Sequence, residues 1–162
     1  MREKIPFRLS LAALACALGT LFVPVAAQAQ NISQSAQSGA YSITLKVLSA
    51  ESFTGSDSEM ARDGGAEPNA INGPEHPNHH LVAFVREKGE PMENAAVSIS
   101  YREVSPIKGD WTSLPVARMH VAGKGLKTTH YGNNVKLGPG HYEVRVTVNA
   151  SKPAVFQFTL SR

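Results

Sequence analysis

Only one cysteine, Cys16, occurs in the chain, and it falls inside an apolar N-terminal run. Whatever follows that run contains no disulfide and must be held together by its core. Helical periodicity is missing too, since no stretch keeps apolar residues at a spacing of three and four for more than a turn. Enzyme templates are equally scarce. The nucleophile elbow, the phosphate-cradling glycine loop and the paired histidines of a zinc-binding helix are all absent, and the acids sit beside turns or on polar strand faces, where carboxylates are solvated. A non-catalytic protein is expected. Clustered basic residues are missing as well: Lys and Arg number 16 against 13 Asp and Glu and are scattered, which excludes a nucleic-acid footprint.

What is present begins with export. Arg2, Lys4 and Arg8 precede an apolar run from Leu9 to Ala27, which ends in the small-x-small box Ala27-Gln28-Ala29. This is the pattern of a secretory signal peptide over residues 1–29, cleaved near Ala29. A retained anchor would need roughly 20 uninterrupted apolar residues with no cleavage box behind them. Ala13-Leu14-Ala15-Cys16 is a loose lipidation box, but the apolar run continues well past it. Arg2, Lys4 and Arg8 against Glu3 supply +2 of the formal +3, so the exported chain is close to neutral.

Residues 30–39 are Ser, Gln, Ala and Gly with little apolar content, the composition of a flexible leader. From residue 40 to 162 the pattern is that of one domain. Alternation predicts strands over 40–48, 95–102, 114–121 and 141–148, with a last strand from Pro153. The segment 79–87 is apolar on both faces and belongs at the centre of a sheet. A short extended run follows over 133–137, entered through His130-Tyr131-Gly132, where the glycine suggests a tight turn. Between the first two strands, residues 51–78 collect glycines and prolines and lose periodicity, the mark of a long functional or disordered loop. About seven short strands separated by Gly and Pro turns predict an all-β, immunoglobulin-like, antiparallel Greek-key sandwich.

Histidine and methionine carry the remaining chemistry. Six histidines is a modest enrichment, and His79, His80, His120 and His130 fall at strand ends or loops, where a sandwich gathers its sites. Neutral imidazole is the commonest metal ligand, and thioether sulfur selects soft ions, Cu(I) above all. His80, Met119 and His130 are thus the candidate ligands, with His79 and His120 behind them. The bland readings stand beside these: a strand methionine is commonly a core gap-filler, and neighbouring strand residues face opposite ways. Only one of His79 and His80, and one of Met119 and His120, can then face a given site. His76 and His141 read as solvent-exposed.

His80-Leu81 opening an apolar strand, Met119 to Ala122, and His130-Tyr131-Gly132-x-Asn134-Val135-Lys136-Leu137 together resemble the periplasmic iron-transport proteins. The likeness covers roughly residues 40 to 160. It implies an exported immunoglobulin-like dimer that binds copper, or iron, through His80, Met119 and His130, with Met60 in the equivalent of that family's methionine-bearing loop. It also implies an inner-membrane iron permease as partner. Two features depart from the family pattern. The gap from Met119 to His130 is longer, with His120 inserted, and a further ligand histidine in an extended C-terminal loop has no counterpart. The expected function is a non-catalytic carrier in metal uptake or handling. The competing class is a metal-free protein-interaction or structural module of the cell envelope, in which the three side chains do not converge. A redox role for a bound copper would need an open coordination position.

Overall fold

The computed structural model describes residues 31–50, 74, 76–121 and 123–161. The sequence reading of 1–29 and the candidate ligand Met60 lie outside the described residues. Among the described residues ten strands run in chain order: β1 Ile32–Ser38, β2 Tyr41–Ser49, β3 His79–Glu87, β4 Glu90–Pro91, β5 Val97–Ser105, β6 Thr112–Leu114, β7 Ala117–Met119, β8 His130–Val135, β9 Gly140–Val148 and β10 Ala154–Leu160. A 3-10 turn, Leu126–Thr128, precedes β8. All pairings are antiparallel. One sheet has the order β1-β2-β3-β8-β7, with β4 added to β3, and the other the order β10-β9-β5-β6. The all-β antiparallel sandwich expected from the alternation is the fold observed.

The core lies between the sheets and is drawn from the alternating positions. Ile43, Leu45 and Val47 of β2 meet Leu81, Ala83 and Val85 of β3, and across the gap stand Val144, Val146 and Val148 of β9 with Phe156, Phe158 and Leu160 of β10. Val155, on the opposite parity from Phe156, is half exposed. β3 pairs with β2 on one side and β8 on the other, the central place its two-sided apolarity predicts.

Three boundaries differ from the sequence reading. The segment taken as a leader is β1, paired along its whole length with β2 from Ile32↔Val47 to Ser38↔Tyr41. Gly39, at φ 60, takes the first place of a two-residue hairpin turn, and Ile32 and Ala36 pack against the core, so Ser33, Ser35 and Gln37 are the outer face of a strand. The run over 114–121 divides into β6 and β7 in different sheets. Pro115, which has no N–H to give a ladder, stands at the division. The His130-Tyr131-Gly132 run is the first half of β8, so Gly132 lies within a strand, and its role is a close approach between strands rather than a turn.

β1 also closes one side of the sandwich. Gln34 Nε2 donates to the Gln157 carbonyl at 2.8 Å, and the buried Ser38 hydroxyl meets Ser151 Oγ at 3.1 Å and donates to the Lys152 carbonyl. Ser38→Ala removes the buried hydroxyl from both contacts and is expected to lower stability by about 1 kcal/mol in urea denaturation. A flexible leader would give no change.

Candidate metal centre

Along β3 the residues of one parity enter the core, so His80, Val82 and Phe84 project from the other face of the six-stranded sheet. The register carries that face across two more strands. His80 lies opposite Asn134 and Val82 opposite Gly132, while Gly132 pairs on its far side with Ala117 and His130 with Met119. The result is a patch turned away from the inter-sheet core and yet enclosed. His80 is 1%, Met119 6%, His130 5% and Asn134 7% exposed. The outer face of the other sheet is of ordinary polar character: Arg102 and Glu143 pair at 3.1 Å, and the Arg102 and Arg145 guanidiniums stack on Trp111.

Gly132 governs how closely β3 and β8 approach. A Cβ there would lie 2.1 Å from the Leu81 carbonyl oxygen and 2.8 Å from Val82 Cα. Both are backbone atoms that cannot swing aside. With no side chain at Gly132, the rings of His80 and His130 meet edge to face across it, their centres 5.9 Å apart and their planes at 86°. An ion held by imidazole nitrogen at about 2 Å lies about 3 Å from the ring centre, so two rings sharing one ion stand up to roughly 6 Å apart. The observed separation fits. Met119, directly opposite His130 in the ladder, has its Cβ about 5 Å from that of His130.

Both rings are fixed through the same nitrogen. His130 Nδ1 lies 2.9 Å from the Thr128 carbonyl; a carbonyl only accepts, so Nδ1 carries the proton. His80 Nδ1 lies 2.9 Å from Asn134 Oδ1, again an acceptor, and Asn134 is itself held by its N–H to Asn133 Oδ1 at 2.8 Å. In each neutral imidazole the lone pair therefore resides on Nε2. Phe84 stacks on His130 with centres 5.1 Å apart and planes at 31°. On the inner side of β8, Tyr131 enters the core and its hydroxyl donates to the Met92 carbonyl at 2.8 Å; burial pushes its phenol pKa up.

Of the other sequence candidates, His79 has the opposite parity to His80, and its Nδ1 lies 2.9 Å from Asn78 Oδ1. Burial holds its pKa below the ordinary histidine value. His120 is half-buried just beyond β7. Among the described residues no three His, Cys, Asp or Glu side chains gather to hold an ion, which leaves His79 and His120 outside any such cluster. His76 and His141 are exposed, as expected. The sequence reading assigned no part to Asn134, the Thr128 carbonyl or Phe84. Asn134 and Phe84 could have been found by parity, since each shares a strand face with a candidate ligand.

The fold has a solved counterpart. FetP from uropathogenic E. coli strain F11 superposes with a TM-score of 0.56 at 13% identity, over 82% of this chain and 96% of that one. A DUF4426 family protein from Pseudomonas aeruginosa PAO1 is similar at a TM-score of 0.42 and 15% identity, over 79% of this chain and 92% of that one. No family model matches the chain, and no curated protein matches it. The likeness to FetP shows the β-sandwich fold.

If the approach at Gly132 sets the geometry of the centre, Gly132→Ala must push β3 and β8 apart. The expected cost is about 3 kcal/mol or more, at the upper end of what overpacking does, read as a large fall in melting temperature. An unchanged melting temperature would mean that the strands tolerate the Cβ.

Proposed function

We propose that the chain is a periplasmic, non-catalytic carrier of copper or iron, with His80, His130 and Met119 holding the ion. The observation that carries this reading is the shared anchoring of the two histidines. Metal-binding imidazoles characteristically donate the other ring N–H to a fixed acceptor, which sets the tautomer and raises ligand basicity. His80 does this to Asn134 and His130 to the Thr128 carbonyl. Two neutral nitrogens and a buried thioether form a soft donor set without a carboxylate, and of the two metals copper is the one it favours. A bound ion would be the cargo. The residues would hold it in an enclosed patch and keep it from water, while the Asn134 and Thr128 contacts keep the rings aligned.

Export, the like fold of FetP, itself expressed in the periplasm of E. coli, and the resemblance to periplasmic iron-transport proteins support the same assignment. On that resemblance, an inner-membrane iron permease and a second copy of this chain are the expected partners. A metal-free envelope module has no use for two histidines of matched tautomer brought edge to face.

Titration of the apo protein with Cu(I) and Cu(II) against competing chelators is expected to give binding at one ion per chain, tighter than micromolar. His130→Ala should abolish it. Asn134→Ala, which removes only the anchor of His80, should weaken it about 10- to 100-fold. Absence of binding, or binding indifferent to His130→Ala, would leave the interaction-module reading in its place.

A further inference from the structure

Beyond the ligands, the same sheet face carries a cation. Lys46 of β2 lies opposite Val82 in the ladder, on the parity that faces away from the core. Its Nζ stands 4.8 Å from the centre of the Phe84 ring, and that ring stacks on His130 at 5.1 Å. Ammonium, phenyl and imidazole thus form a continuous column. Nζ can be no farther than about 10 Å from the His130 ring centre, a range over which charges still interact when protein rather than water fills the gap. Among the described residues Lys46 forms no salt bridge. Attraction to the face of the ring instead holds the ammonium over Phe84.

Resting on the metal-carrier reading, we propose that Lys46 is a specificity-determining residue that selects the oxidation state of the bound copper. A fixed positive charge repels a divalent ion twice as strongly as a monovalent one at the same place. The thioether of Met119 already favours Cu(I), and the Lys46 column acts in the same direction from outside the ligand set. Phe84 is the spacer that makes this possible: half-buried, it keeps water from between the ammonium and His130 and keeps the lysine from competing for the donors. The centre therefore carries copper as Cu(I).

The test compares dissociation constants for Cu(I) and Cu(II), each measured with a chelator competitor, in the wild type, Lys46→Gln and Lys46→Glu. Lys46 is half-buried on a strand surface, and equal melting temperatures will establish that the variants fold. Lys46→Gln is expected to raise Cu(II) affinity relative to Cu(I) by roughly three- to tenfold, and Lys46→Glu by about twice that effect on a logarithmic scale, with both shrinking at high salt. If the wild type binds copper but the ratio is the same in all three proteins, the proposal is overturned and the carrier reading stands. If the wild type binds neither ion, both fall together.

Discussion

The approach of β8 to β3 at Gly132 is the constraint on which the rest of this structure depends. The backbone there comes so close to Leu81 and Val82 that a single methyl group would strike the carbonyl oxygen of one and the Cα of the other. That proximity belongs to the central pairing of the six-stranded sheet. On the inner side it lets Tyr131 and Val135 join the core. On the outer side the missing side chain brings the His80 and His130 rings together over the backbone. Fold and candidate site share one steric fact.

The two faces of that sheet solve different problems. The inner face is hydrocarbon and needs only to be filled. The outer face hides two imidazoles and an amide, and buried polar groups are costly unless each finds a partner. The bonds that satisfy them, His80 to Asn134, Asn134 to Asn133 and His130 to Thr128, also fix ring orientation and tautomer. Such a network holds both rings in one orientation, the preorganisation that the proposed carrier would need. Met119 and Phe84 add apolar walls, and Lys46 adds charge at one remove. The other sheet shows what an ordinary outer face looks like here, with arginines, a glutamate and a tryptophan meeting solvent.

Alternation made most of the fold legible. β2, β3, β9 and β10 follow directly from residues of period two, and the two-sided apolarity of 79–87 placed β3 at the sheet centre. The failures were physical in origin. β1 was missed because Ser and Gln can form the outer face of a paired strand as readily as a linker, and only its pairing with β2 distinguishes them. The run over 114–121 was read as one strand, whereas the chain passes between sheets at Pro115. Gly132 was read as a turn because glycine commonly serves turns; here it serves a contact with a strand some fifty residues away in sequence, which no local pattern encodes. His80, Met119 and His130 could be chosen from ligand chemistry and parity. Their meeting on the outward face, with Asn134 and Thr128 as anchors, required the register.

The central claim is that two imidazoles and one thioether on this face bind a single copper ion. X-ray absorption of the Cu(I)-loaded protein measures that ligand set directly. The account predicts two nitrogen scatterers at about 2.0 Å and one sulfur at about 2.3 Å, with the sulfur lost in Met119→Leu. A shell of nitrogen and oxygen alone in the wild type, or a sulfur contribution that survives Met119→Leu, would contradict it.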